Sequence, residues 1–116
     1  REALSVRDVF VINVFGVWGV MVVTLWLMRA VAPDWGLVGI YLVLVNAVLH
    51  FVQALVMRRV NPGLWTALVL FLPLGVWGLA EIGPGATPAA HTVSLAAVVV
   101  LHVAIVVNVR RRLARA

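Results

Sequence analysis

The stretch Trp35-Gly36-Leu37-Val38-Gly39-Ile40-Tyr41-Leu42-Val43-Leu44-Val45-Asn46-Ala47-Val48-Leu49-His50-Phe51-Val52-Gln53-Ala54-Leu55-Val56-Met57 contains no charged side chain. At about 1.5 Å of rise per residue, a helix of this length crosses the roughly 30 Å hydrocarbon core of a bilayer. Three other stretches read the same way, at 9–28, 62–80 and 89–109. Charges mark their ends: Asp8 and Arg29 bracket the first, Asp34 and Arg58 the second, Arg59 and Glu81 the third. The fourth follows a breaker-rich segment, Gly83-Pro84-Gly85-Ala86-Thr87-Pro88, and stops at Arg110-Arg111-Arg112. Strands are excluded despite the many valines, because a membrane barrel shows short segments of alternating polarity. In lipid the backbone must satisfy its own hydrogen bonds, so a long apolar run means helix. The predicted fold class is an all-α polytopic membrane protein, with four transmembrane helices in a single domain over residues 1–116.

Composition points the same way. Of 116 residues, 65% are hydrophobic and 11% charged, with a mean hydropathy of +1.14. Soluble domains carry roughly a quarter charged residues, and a chain this short has too little interior to hide so much apolar surface. A soluble enzyme, a nucleic-acid-binding module and a disordered tail are excluded. The net charge of +5 comes from nine Arg and no Lys, placed between apolar runs. Such arginines set topology and meet anionic headgroups, a role expected of Arg58, Arg59, Arg110, Arg111 and Arg112. Without Cys there is no disulfide and no thiolate ligand or nucleophile.

Four spans put both termini and the short loop between spans two and three on one side. That side collects Arg1, Arg7, Arg58, Arg59, Arg110, Arg111, Arg112 and Arg115, against Arg29 alone on the other. The bias predicts cytoplasmic termini. Trp26, Trp35 and Trp77 then fall near the outer interface and Trp65 near the inner one.

Depth sorts the polar residues. His50 precedes Arg58 by eight positions and His102 precedes Arg110 by eight, so both imidazoles lie about 12 Å from the inner boundary. Asn46 and Gln53 share the face of His50 by helical spacing. Asn13 and Thr66 fall in the same inner half. Polar side chains are costly against lipid, so His50, His102, Asn46, Gln53, Asn13 and Thr66 are expected to turn inward as one intramembrane cluster. Interhelical hydrogen bonding accounts for most of them. For the two histidines, matched depth also suits a shared ligand. His91, nearer the outer surface, is expected to be solvated. Asn61-Pro62-Gly63 is predicted to form a tight turn, with Pro62 as the first residue of the third helix. Pro73 should kink that helix. Gly16/Gly19, Gly36/Gly39 and Gly75/Gly78 repeat a GxxG spacing that permits close approach of backbones. No phosphate loop, Ser/His/Asp set or carboxylate pair can be assembled, since Asp34 and Glu81 stand singly at the outer surface.

Two motifs go further. Asn46-Ala47-Val48-Leu49-His50 matches N-x-x-x-H, and Val60-Asn61-Pro62-Gly63-Leu64-Trp65-Thr66 matches Y-x-P-G-x-x-T with Val60 in the tyrosine position. In this order and spacing the chain resembles the HXXEE family of small bacterial integral membrane proteins, over about residues 37–80. The resemblance implies a bacterial plasma-membrane location. It also implies a metal or acid/base cluster built from a His-x-x-Glu-Glu helix joined by His50 and Asn46. No His-x-x-Glu-Glu element occurs in this chain; it would lie upstream of Arg1 or on another chain.

Three readings stand. The first is a small helical-bundle protein, not an enzyme by itself, serving as an accessory or assembly subunit of a larger membrane complex. The second is an HXXEE-type metal-binding membrane enzyme, with His50 as a ligand and its carboxylates elsewhere. The third is a haem b protein with His50 and His102 as axial ligands. The first requires no cofactor; the others call for a metal ion or haem b. Expected partners are membrane lipids and other membrane subunits or a second copy, with no role for nucleic acid.

Overall fold

The computed structural model describes residues 5–61 and 63–115, the side chains of Val9 and Asn13 lying outside that description. Among the described residues every regular element is helical, in four consecutive rods. Three helical stretches, Pro33–Met57, Leu64–Gly85 and Pro88–Arg115, are long and apolar enough to cross a membrane. The apolar stretch Val14–Ala30 of the first rod is shorter. The molecule measures 45 × 25 × 21 Å, its long axis matching a bilayer with headgroups, about 40–45 Å.

The first helix covers residues 6–30 as Val6–Val11, a π-helical stretch Ile12–Trp18, and Gly19–Ala30. It begins before residue 9 because Ser5-Val6-Arg7-Asp8 forms a capping box. Ser5 Oγ accepts from the Asp8 backbone N–H at 3.2 Å, while the Ser5 N–H and O–H donate to Asp8 Oδ2 at 3.0 and 2.7 Å. A 3₁₀ turn, Pro33–Trp35, leads into the second helix, Gly36–Met57. That helix ends where Arg58 takes a left-handed φ of 49°. The Arg58 and Arg59 N–H groups turn back to the carbonyls of Leu55 and Ala54 at 3.3 and 3.2 Å, a Schellman closure at a position usually held by Gly.

The third helix starts at Leu64, not at residue 62. Gly63 has φ 87°, a left-handed conformation that no helical residue adopts, so the rod cannot begin before it. Pro62 lies outside the described residues. This helix covers 64–82 as Leu64–Thr66, π-helical Ala67–Phe71, and Leu72–Ile82. The π turn answers the expectation of a kink at Pro73. Proline's ring collides with the carbonyl four residues back and has no N–H to give. Just before it, the Leu72 N–H bonds the Ala67 carbonyl five residues back, which widens the turn. The third rod also outlasts residue 80, continuing to Ile82 and a 3₁₀ turn Gly83–Gly85. The fourth helix runs Pro88–Arg115, past residue 109. Arg, Leu and Ala are good helix formers, and positive charge suits a helix C-terminus, so the arginine run prolongs the rod.

The second helix is the hub, packed against each of the other three. Without a hydrophobic drive in lipid, helix association depends on close backbone approach and van der Waals fit. Glycine supplies this on two sides. A Cβ on Gly36 would stand 2.6 Å from Met28 Sδ, and one on Gly39 would stand 3.1 Å from Met21 Sδ, so the first helix seats its methionines there. On the third helix, a Cβ on Gly75 would meet Leu44 at 2.6 Å and one on Gly78 would meet Ile40 at 3.0 Å. Gly16 and Gly19 meet only their own helix, so the third GxxG pair is not an interface. Leu37, Leu42, Ala47, Ala67 and Val98 are buried where the helices meet. Trp26, Trp35, Trp65 and Trp77 are all exposed, as a headgroup-level belt requires.

Candidate functional site

His50 lies two turns before the end of the hub helix, and the turn after that helix folds back beneath it. Asn61 makes both connections. Its Nδ2 donates to the His50 carbonyl at 2.9 Å, which points its Oδ1 at the ring, and His50 Nδ1 stands 2.6 Å from that oxygen. An amide oxygen only accepts, so His50 Nδ1 is the protonated nitrogen and Nε2 keeps the lone pair. The ring edge lies over Gly63, where a Cβ would be 3.0 Å from Cε1 and 3.3 Å from Nε2. The histidine of the first motif and Asn61 and Gly63 of the second therefore belong to one local structure. A half-buried imidazole is locked in one tautomer by Asn61 and given room by a residue without a side chain.

The other cluster candidates do not converge on it through described contacts. Asn46 is half-buried one turn earlier, without a side-chain hydrogen bond to a described residue; Gln53 and Thr66 are exposed. His102 Nδ1 donates to the Val98 carbonyl of its own helix at 2.8 Å. Its ring lines a groove with Val45 and Leu49 of the hub. His50 and His102 thus have no partner in common. The residue after Leu49 points about 100° away around the helix, which turns His50 toward the 61–63 turn instead. Asn13's side chain and Pro62 fall outside the described residues. Among the described residues no three His, Asp or Glu side chains group as metal ligands. What the arrangement offers chemically is one oriented nitrogen, a ligand or proton acceptor awaiting further groups.

At the termini, Arg112 Nη1 reaches Asp8 Oδ2 at 2.8 Å. The Ser5 hydroxyl and backbone N–H, followed by Arg112, hold the Asp8 carboxyl below its ordinary range. Arg58, Arg59, Arg110 and Arg111 are exposed.

The end of the bundle opposite Asp8 and Arg112 holds a feature that sequence reading missed. His91 is not solvated but half-buried. Its Nε2 donates to the Gly83 carbonyl at 2.8 Å, and its Nδ1 accepts from the Tyr41 hydroxyl at 2.6 Å. The two rings meet edge to face, with centroids 5.9 Å apart. The signal was the chain's single Tyr, in the second turn of the hub helix, since a phenol shielded from water needs a partner for its O–H.

A family model described as "Protein of unknown function with HXXEE motif" matches residues 2–78, which takes in the first two helices, most of the third and the His50–Asn61–Gly63 unit. No curated protein and no solved structure matches the chain.

Proposed function

The chain belongs to the HXXEE family, and on that basis we propose that it is an accessory subunit supplying one preset imidazole, His50 Nε2, to a site completed by other groups. The hydrogen bond of 2.6 Å between His50 Nδ1 and Asn61 Oδ1 carries this reading. Histidines that bind metals characteristically donate their second nitrogen to an oxygen acceptor, which fixes ring and tautomer. The family's name supplies the missing chemistry, a histidine and two carboxylates, and such a donor set suits zinc or iron. Those groups would come from outside residues 1–116, which carry no His-x-x-Glu-Glu element. The excess of arginine at the end holding the termini supports placing that end at the cytoplasmic face of a bacterial plasma membrane.

The test is purification of the full natural protein with any co-purifying subunit, followed by elemental analysis. A stoichiometric metal should be present, lost in His50→Ala and bound on the order of 10–100-fold more weakly in Asn61→Ala. Unchanged metal content in folded His50→Ala would remove His50 from any such site.

A further inference from the structure

Two grooves run along the seam between the hub and the fourth helix, and they differ in charge. The outer one is bordered by Asp34 with Thr87 and Ser94. The inner one, 290 Å³, is walled by Val45 and Leu49 of the hub and by Val99, Val103, Val106 and Val107 of the fourth helix. Its single polar side chain, His102, has already spent Nδ1 on its own helix. Val99, Val103, Val106 and Val107 are exposed, so the groove opens sideways into the surroundings of the bundle.

The helix face that walls the groove continues into arginine. Arg110 follows Val103 by seven positions and Val106 by four, and Arg111 follows Val107 by four, so both stand one turn beyond the groove's inner mouth. Neither arginine lines the groove itself, so each would reach a ligand at the mouth from one turn beyond it. Arg112 points elsewhere, to Asp8. On the hub, the exposed Gln53 follows Leu49 by four positions and reaches the same end.

We propose that this inner groove is a binding site for one anionic phospholipid, its acyl chain along the valine wall and its phosphate on Arg110 and Arg111. The groove's lining favours a hydrocarbon chain. Apart from His102 every wall residue is apolar, and the groove opens sideways along the fourth helix. Charge then selects the headgroup. Two arginines at the mouth favour an anion, whereas Asp34 at the outer groove repels one. The site is independent of His50 and needs no partner subunit.

Native mass spectrometry of the full chain in detergent, titrated with phosphatidylglycerol or phosphatidylcholine, tests this. One phosphatidylglycerol should bind saturably, on the order of tenfold more tightly than phosphatidylcholine. The preference should vanish in Arg110→Gln/Arg111→Gln and persist in Arg115→Gln. Filling the groove with Val106→Trp, or with Leu49→Trp if the first variant fails to fold, should abolish saturable binding although every arginine remains. Glycerol phosphate, the headgroup without chains, should not compete. Equal binding of the two lipids, preference retained in the folded groove-filled variants, equal loss in Arg115→Gln, or competition by glycerol phosphate would each overturn the proposal. A second protein copy retained in place of lipid, and released by Val106→Trp, would overturn it as well.

Discussion

At the scale of single residues, one glycine faces the ring of His50. Gly63 is constrained twice: φ is 87°, and the His50 ring occupies the space a side chain would need. A Cβ on Gly85 would meet nothing within 4 Å, and its φ is not positive. Gly63→Ala should therefore cost about 1–3 kcal/mol of stability, while Gly85→Ala should be close to neutral. Thermal unfolding in detergent compares them, and equal tolerance would contradict a constrained turn. The sequence motif predicts a turn at 61–63; Pro62 lies outside the described residues, and on either side of it the Leu64 N–H reaches the Asn61 carbonyl at 3.2 Å. That Asn61 grips His50 was not legible, because a hydrogen bond between residues eleven positions apart depends on how the chain reverses after Arg58.

At the scale of helices, the glycine pairs divide by what they touch. Gly75 packs on Leu44 and Val43 of the hub, whereas Gly16 has only Ile12 of its own helix, at 4.0 Å. Gly75→Leu should separate the second and third helices at a cost of about 1–3 kcal/mol, the usual range for overpacking. Gly16→Leu should be tolerated, and unfolding of the two variants in the same detergent decides the matter. All three GxxG pairs look alike in sequence. Spacing establishes that two small residues share a helix face, but only the rotation of each rod about its axis decides whether that face meets a neighbour. The π turn before Pro73 obeys a similar logic. Proline chemistry demands a local break, while packing against the hub lets the rod continue instead of ending.

Across the whole molecule, the ion pair between Asp8 and Arg112 joins the first helix to the fourth at the end that holds both termini. Asp8 binds its proton less readily when folded than an unstructured Asp does, because Ser5 and Arg112 favour the carboxylate. A carboxyl with a lowered folded pKa contributes stability above its ordinary value, about 3.9, and loses it as the pH falls through the folded value. Measured against the intrinsic exchange rate at each pH, the protection of residues 6–11 from hydrogen exchange should therefore fall as the pH drops below about 4. Asp8→Asn should show the lower protection already at neutral pH. Protection that is unchanged in both cases would mean that this link does not hold the first helix.

The all-helical class, the approximate spans, the arginine-rich end and the family motifs are all legible along the chain. Each follows from one-dimensional physics: the length of an uncharged run, the desolvation cost of bare backbone in lipid, and the bias of charge at its ends. Three features emerge only from the packed helices: which of them is the hub, the turning of His50 to Asn61 while His102 turns to its own backbone, and the bond between His91 and Tyr41. In a helix that is apolar all round, few polar residues give its azimuth away, and lipid rewards every apolar face about equally. Rotation is then set by steric fit between particular side chains, such as Met28 against Gly36 and Leu44 against Gly75, and that fit exists only once the helices have met.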